Sequence, residues 1–190
     1  ATHQLRAPLT AMKGYASLIL EGDMGVISEE VKNAIVRIYE SSGTLTNIVD
    51  DYLNISIFTQ ENLQTQKLLQ EAQRHLGVPY KEAGMDPSGF DCSGFTCYVF
   101  AANGVSLPRR AADQYTHCQK IEPDEALAGD LVFFTNGTQI NHVGILISDK
   151  GAPKQMIHAS SSIGISVVDI ENSNYWTPKI AGYGRIKSAK

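Results

Sequence analysis

The stretch Gly89-Phe90-Asp91-Cys92-Ser93-Gly94-Phe95 determines the fold of this chain. It lies between the turn-forming residues 86–88 and an apolar run that ends at Asn103-Gly104. The run from residue 93 to residue 102 predicts a helix, since Asn-Gly is a typical helix end. Cys92 is therefore expected at the helix N-terminus, where unpaired backbone N–H groups and the positive end of the helix dipole favour a thiolate over a thiol. A free cysteine is more often a small buried apolar residue, so Cys92 needs partners elsewhere in the chain to be a candidate nucleophile.

Beyond this helix and a short helix near residues 111–118, the pattern changes to short strands. The strands are rich in Val, Ile and Phe, and turn formers such as Asn136-Gly137 and Lys150-Gly151 separate them. They cover residues 130–134, 142–147, 155–159, 165–168 and 180–186. Helices followed by a meander of strands predict an α+β fold.

Two histidines lie on neighbouring strands of this meander. His142 opens one strand and His158 lies in the next, at similar distances from the turn between them. Positions equally far from a turn face each other in an antiparallel pair, so we expect the two side chains to be neighbours. With Cys92 they supply a thiol, an imidazole base and a polar group that orients the base. Each histidine alone is more often a structural residue.

The first sixty residues carry two helical stripes of apolar residues. The first stripe is Leu5, Leu9, Met12, Ala16 and Ile19, and the second is Val31, Ile35, Ile38, Ser42, Leu45, Val49 and Tyr52. Gly22 to Gly25 separate them, which predicts an antiparallel helical hairpin. A hairpin alone cannot bury both stripes, so pairing of two copies into a four-helix bundle is expected. A further amphipathic helix is expected at residues 67–76, with a domain joint near residues 54–63.

The hairpin resembles the dimerisation and phosphoacceptor hairpin of sensor histidine kinases. The resemblance rests on Thr2-His3-Gln4-Leu5-Arg6-Ala7-Pro8-Leu9-Thr10, Gly14-Tyr15 and Ile48-Val49-Asp50-Asp51-Tyr52-Leu53-Asn54. It implies that His3 is a phosphoacceptor. Gln4 follows where the family has an acidic residue, and an amide cannot act as a base. Nothing after Asn62 resembles an ATP-binding domain, so phosphorylation of His3 would need a kinase in trans.

A second resemblance covers residues 63–186. Its motifs are Gly77-Val78-Pro79-Tyr80, Phe90-Asp91-Cys92-Ser93-Gly94-Phe95, Leu107-Pro108-Arg109 with Asp113-Gln114, Ala128-Gly129-Asp130-Leu131-Val132-Phe133-Phe134, Asn141-His142-Val143-Gly144-Ile145 and Ile157-His158-Ala159-Ser160. Their order and spacing are similar to those of the NlpC/P60 family of papain-like cysteine peptidases, in which helices pack on an antiparallel sheet. The family acts on bacterial cell-wall peptides. Lys81-Glu82-Ala83-Gly84 departs from the aromatic-Gly-Gly run that commonly follows the family's tyrosine.

This second resemblance implies roles for individual residues. Cys92 would be the nucleophile, His142 the general base and His158 the third member, whereas Tyr80, Asp91 and Ser93 would bind or support the substrate. The implied reaction is hydrolysis of the γ-D-glutamyl bond to a diamino acid in peptidoglycan stem peptides, without a metal or cofactor. The predicted domains are a dimerising hairpin at 1–60 and a peptidase at 63–190. The alternative is a signalling or oligomerisation module, phosphorylatable at His3, with a non-catalytic binding domain.

Composition limits the other classes of function. The net charge of −4 gives no basic surface for nucleic acid, and the longest apolar runs are too short to cross a membrane. The sequence as given starts without a basic-then-apolar leader, so the compartment stays open between the cytoplasm and, if the chain is exported, the cell exterior. The three cysteines lack the spacing of a disulfide framework or a zinc site. The partners that remain are peptidoglycan peptides, which the second resemblance implies, and a second copy of the chain, which the apolar stripes of the hairpin predict.

Overall fold

The computed structural model describes the backbone of residues 3–22 and 25–186, and the side chains of these ranges from residue 7 onward. The chain divides into two compact units, Ala1–Asn62 and Leu63–Lys190. Each unit is described by itself below.

Two helices form the first unit, α1 (His3–Glu21) and the first part of α2 (Glu29–Arg74). Leu9, Ala16 and Ser42 are buried, and Lys13 lies over the ring of Tyr39, so the two helices pack along the predicted stripes. The predicted helical region at the N-terminus is therefore confirmed. The side chain of His3 lies outside the described residues.

The helix α2 is longer than the sequence patterns predict. The helix expected at residues 67–76 is the last part of α2, which runs through the expected domain joint without a break. The reason is that neither glycine nor proline occurs between Gly43 and Gly77, and every turn of the helix between them can form its backbone hydrogen bonds.

The second unit contains an antiparallel sheet. Within residues 63–186 the sheet has the strand order β3-β8-β4-β5-β6-β7. Its strands are β3 (Gln119–Ile121), β4 (Leu131–Thr135), β5 (Ile140–Leu146), β6 (Gln155–Ser160), β7 (Gly164–Asp169) and β8 (Ile180–Arg185). The strand predictions and the α+β class are confirmed, although β3 and the small ribbon of β1 (Met85–Asp86) and β2 (Gly89–Phe90) were not predicted.

Helix α3 (Cys92–Ala102) covers one face of this sheet, and helix α4 (Ala111–His117) packs beside it. Because side chains alternate along a strand, Val143 and Ile145 of β5 lie in the core under α3 with Phe95. The side chains at the alternate strand positions, such as Leu146, lie on the opposite face of the sheet. They form a second core there, and Trp176 packs against it. The sheet is thus buried on both faces, which fixes the register of its strands.

The strands β5 and β6 are paired over a short stretch. Their paired residues are Ile145 with Ile157 and Leu146 with Met156. Toward His142 and His158 the ladder between β5 and β6 stops, although β6 stays paired with β7 through Ser160. The backbone of β5 near His142 therefore has free hydrogen-bonding capacity on the side that faces β6.

Candidate active site

The start of α3 is held by a side-chain cap. Asp91 is the N-cap residue, and its Oδ1 accepts a hydrogen bond from the backbone N–H of Gly94 at 2.7 Å. Cys92 is the first residue of the helix, as the sequence predicts. The cap satisfies one of the orphan N–H groups and leaves others directed toward the helix start.

A tight turn packs against this helix start. The backbone oxygen of Gly84 accepts a hydrogen bond from the N–H of Asp91 at 3.1 Å. A Cβ atom on Gly94 would lie 2.0 Å from the same oxygen, so residue 94 has no room for a side chain. Gly94 is therefore required by packing, because the absence of a side chain lets the turn approach helix α3.

Arg109 was not predicted as a site residue, yet it organises this end of α3. Its Nη1 donates hydrogen bonds to Asp91 Oδ1 at 3.0 Å and to Ser93 Oγ at 2.9 Å, and its Nη2 pairs with Asp91 Oδ2. Burial alone would raise the pKa of Asp91, but the hydrogen bonds from Arg109 and Gly94 outweigh it and lower that pKa. Asp91 and Ser93 are thus engaged in holding the helix start.

The two candidate histidines are brought together. His142 Nε2 and His158 Nδ1 lie 2.9 Å apart, and the side chain of His158 is buried. The neighbouring positions predicted from the turn between β5 and β6 are therefore correct. This hydrogen bond occupies Nε2 of His142 and leaves its Nδ1 as the nitrogen available to a reaction partner.

Cys92 lies beside β5 where β5 and β6 part. The backbone N–H of Val143, the residue after His142, lies close enough to the Cys92 thiol to lower its pKa. Within the described residues, no hydrogen bond joins the thiol directly to the His142 imidazole. Catalytic hydrogen bonds are often long without substrate and tighten when it binds, so this geometry is compatible with a thiol–imidazole pair.

Burial dominates the electrostatics of these three groups. Burial raises the pKa of the Cys92 thiol, the charge of Asp91 raises it further, and hydrogen bonds from the N–H groups of Val143 and Ser93 oppose the rise. Burial, with a smaller contribution from the charge of His158, lowers the pKa of His142 to about 3. Burial lowers the pKa of His158 to about 4. Burial therefore acts against the thiolate that the helix start favours, since it raises the pKa of the thiol and lowers the pKa of the imidazole.

Tyr80 lies at the edge of the same region and is partly exposed. Burial raises the pKa of its hydroxyl, and the nearby Cys92 and Asp91 add to the rise, so the hydroxyl is close to Cys92. A tyrosine with a raised pKa stays protonated at neutral pH and can donate a hydrogen bond. Tyr80 is the sequence-predicted binding residue that the structure leaves accessible.

Gln114 is a second residue whose importance the sequence patterns did not reveal. Its buried side chain donates to the backbone oxygens of Ser93 at 3.2 Å and Pro108 at 2.9 Å, and Thr96 Oγ1 donates to its Oε1 at 2.8 Å. It therefore ties α4 to the first turn of α3. Gln114 is part of the Asp113-Gln114 motif of the sequence. A motif alone does not distinguish a polar residue that binds substrate from one that holds a helix in place.

The described residues offer neither a metal site nor a membrane span. In residues 7–22 and 25–186 no three His, Cys, Asp or Glu side chains are grouped so that they could hold a metal ion. No helix in the described ranges is both long and apolar enough for a membrane span.

The sequence model of the NlpC/P60 family matches residues 77–185. This chain belongs to the NlpC/P60 family. The model of the His Kinase A (phospho-acceptor) domain matches residues 1–61. Both resemblances drawn from the motifs are thereby confirmed.

Two curated relatives show how much of this chain and how much of each relative the sequence similarity covers. The probable endopeptidase p60 of Listeria welshimeri is 40% identical over 119 residues, which are 63% of this chain and 22% of that protein. The gamma-DL-glutamyl hydrolase of Bacillus subtilis is 34% identical over 191 residues, covering 89% of this chain and 45% of that protein. This chain therefore spans less than half the length of these two relatives.

Solved structures of the family have the same fold. An NLP/P60 family protein similar to a lipoprotein from Staphylococcus aureus has a TM-score of 0.58 at 37% identity, covering 66% of this chain and 42% of the other. The NlpC/p60 domain of the peptidoglycan hydrolase SagA has a TM-score of 0.55 at 31% identity, with 64% and 98% covered. RipD of Mycobacterium tuberculosis, described as a non-catalytic NlpC/p60 domain protein adapted to peptidoglycan binding, has a TM-score of 0.54 at 25% identity, with 65% and 98% covered.

Proposed function

We propose that the chain hydrolyses an amide bond of peptidoglycan stem peptides, with Cys92 as nucleophile, His142 as general base and His158 as the group that orients the base. The observation that supports this most is the imidazole pair, 2.9 Å between His142 Nε2 and His158 Nδ1, next to a cysteine at a helix start. The proposed bond joins the γ-carboxyl of D-glutamate to a diamino acid. The name of the Bacillus subtilis relative, gamma-DL-glutamyl hydrolase, favours this bond.

The first step is attack by sulfur on the amide carbonyl. The thiol proton of Cys92 passes to Nδ1 of His142, and the sulfur forms a bond to the carbonyl carbon. His142 then carries protons on both nitrogens, and its Nε2–H donates to Nδ1 of His158. His158 must hold its own proton on Nε2, an atom that has no hydrogen-bond partner within the described residues.

The developing oxyanion is stabilised by donors at the start of α3. Backbone N–H groups there are directed toward the nucleophile, and the protonated hydroxyl of Tyr80 adds a side-chain donor. His142 returns its proton to the leaving amine, which departs and leaves a thioester on Cys92. Water then hydrolyses the thioester, and the thiol and neutral imidazole are restored. No step needs a metal or cofactor.

The exposure and hydrogen bonds of the remaining candidate residues support different roles for them. Tyr80 is accessible and can contact the substrate directly. Asp91 and Ser93 both accept hydrogen bonds from Arg109, so they support the shape of the cleft at the helix start. We infer that Tyr80 binds substrate and that Asp91 and Ser93 position Cys92.

The reaction is tested by product masses from defined stem peptides. The chain should release a peptide that begins with the diamino acid from a γ-linked D-glutamyl substrate, and should leave the α-linked isomer intact. Cleavage at another amide would overturn the proposed bond. Absence of any cleavage, with stem peptides still bound, would support a binding domain of the kind described for RipD.

We further infer that residues 1–60 join two copies of the chain. Large apolar side chains stay exposed along one stripe of α2 in a single copy, where each is about half exposed or more: Leu45 (49%), Ile48 (56%), Tyr52 (71%) and Ile55 (66%). Their spacing of three, four and three residues is that of a coiled-coil seam. A second copy would cover the stripe in a four-helix bundle.

Ile48→Glu is expected to convert a dimer into a monomer, because a charge in the seam would have to be buried. Light scattering after size-exclusion chromatography would measure the mass of the wild-type chain and the variant. Asn47→Glu is the matched control, since Asn47 is exposed and lies outside the stripe. A monomeric wild type, or an Ile48→Glu chain that stays dimeric, contradicts the inference.

The alternative function is a signalling or oligomerisation module phosphorylated at His3. The match of residues 1–61 to the phospho-acceptor domain favours it. Transfer of phosphate from a histidine kinase in trans to the wild-type chain, lost in His3→Gln, would support this alternative. It would gain further weight if the chain bound stem peptides without cleaving them.

A further inference from the structure

Trp176 covers the imidazole pair from the far face of the sheet. Its ring is stacked on His142, with centroids 5.2 Å apart and planes inclined by 27°. It meets His158 edge to face, with a centroid distance of 5.1 Å and an angle of 84°. One aromatic side chain therefore contacts both members of the hydrogen-bonded pair.

The indole is held in place from several sides. Phe134 of β4 packs on it at 4.8 Å and Tyr175 at 4.9 Å between ring centroids. The backbone N–H of Trp176 donates to Ser173 Oγ at 3.1 Å. The next residue, Thr177, donates from Oγ1 to the backbone oxygen of Ile170 at 2.8 Å. These contacts fix the indole plane before any substrate binds.

A stacked indole has two effects on His142. It limits rotation of the imidazole about its side-chain bonds, so Nδ1 keeps its direction while Nε2 stays bonded to His158. It also excludes water from one face of the ring, which disfavours the imidazolium at rest. When His142 takes the thiol proton, the negative face of the indole attracts the new cation and offsets part of that penalty.

We propose that Trp176 is a positioning residue for His142, which clamps the imidazole in the reactive orientation and keeps it neutral until the thiol proton is transferred. The catalytic consequence rests on the proposed peptidase function, whereas the clamp itself does not. Trp176 lies 34 residues after His142 in a segment that carries no motif, so sequence patterns gave no sign of it.

Other charged groups near the clamp are few. His158 is the titratable group that shares the indole with His142, and the Cys92 thiol lies beside the strand that carries His142. On the outer side, Lys179 lies over the ring of Tyr175, 3.2 Å from its centroid. A pH effect assigned to Trp176 must therefore be separated from effects of His158 and Tyr175.

NMR titration of the His142 ring protons tests the clamp without substrate. In the wild-type chain the His142 resonances should not titrate between pH 4.5 and 8, because burial holds its pKa at about 3. In Trp176→Leu, water should reach the ring, and the pKa should rise into the titrated range. Trp176→Phe is the control, because it keeps an aromatic face against the imidazole, and its His142 resonances should titrate as in the wild type.

Kinetics of the same variants test the consequence. We expect kcat to fall about tenfold in Trp176→Leu with KM nearly unchanged, consistent with the size of an orientation effect on general-base catalysis. Trp176→Phe, which keeps an aromatic face, should retain most of kcat. If the His142 titration in Trp176→Leu matches the wild type, the clamp is wrong. If the titration shifts as expected but no variant cleaves any peptide, the clamp stands and the proposed peptidase function fails.

A folding failure of Trp176→Leu would not leave the clamp untested. Trp176 is the single tryptophan of the chain, so its ring protons can be assigned without ambiguity in the wild type. Nuclear Overhauser contacts between the indole and the His142 ring are expected, and their absence would overturn the proposal.

Discussion

Cys92→Ala should lose peptide hydrolysis by a factor of about 10⁴ or more, because the variant has no atom that can form the thioester. Substrate affinity should change little, since the backbone donors at the start of α3 and the Tyr80 hydroxyl do not depend on the thiol. The measurement is the initial rate of amine release from stem peptides, with peptide binding followed separately by calorimetry.

The chain supplies its own controls for this prediction. Cys97 and Cys118 are buried free cysteines, and both should tolerate replacement by alanine with catalysis preserved. Cys97 accepts a hydrogen bond from Gln114 Nε2 at 3.3 Å, so Cys97→Ala should lower the free energy of unfolding by about 1 kcal/mol while the rate stays near that of the wild type. A Cys92→Ala chain that keeps a tenth of the activity would refute a thiol nucleophile.

The pKa shifts of the thiol and the imidazole have a consequence for reactivity. Burial raises the pKa of the Cys92 thiol and lowers the pKa of His142 to about 3, so neither group ionises readily alone. Opposite charges about 4 Å apart attract by roughly 4 kcal/mol at an effective dielectric constant near 20, which is worth roughly three pKa units. The ion pair therefore forms more easily than either charge separately. When the substrate carbonyl arrives, the thiolate reacts with it, and this reaction completes the proton transfer from Cys92 to His142.

Local sequence patterns were sufficient to predict much of the fold. The turn-forming segment before Cys92 and the run that ends at Asn103-Gly104 predict the limits of α3 from neighbouring residues, and the structure places the helix there. Strands β4 to β8 alternate or run apolar over five to seven residues, and turn formers separate them, so their positions were also predictable. Even the proximity of His142 and His158 followed from the length of one turn.

Features set by distant contacts were not predictable in this way. Arg109 reaches Asp91 across 18 residues, and Trp176 reaches His142 across a longer stretch of chain, so neither contact leaves a local pattern. The electrostatics at Cys92 depend on packing in the same way. The helix dipole is a local property that the sequence predicts, whereas the burial that raises the pKa of the thiol depends on how α3 packs against β5.

His142→Ala should lower the rate of hydrolysis by about 10³ to 10⁴, because no other group is placed to take the thiol proton. His158→Ala should lower it by about 10 to 100, since the buried Nε2–H of His142 would lose its acceptor at a cost of about 1 to 3 kcal/mol. His158→Asn should recover much of this loss if the amide oxygen can accept the same hydrogen bond. His117→Ala, an exposed histidine on α4, is the control and should behave as the wild type.

The pH profile distinguishes a buried base from an exposed one. His158 is lost as an acceptor and His142 as a base when the pH falls through their pKa values of about 4 and about 3, so kcat/KM should hold down to roughly pH 5 and decline only below it. An exposed imidazole would lose activity near its ordinary pKa of about 6.5. On the alkaline side the raised pKa of Cys92 extends the plateau, because the reaction begins from the protonated thiol. An acidic limb near pH 6.5 would mean that the imidazole is hydrated in solution, and that neither His158 nor the aromatic cover keeps it neutral.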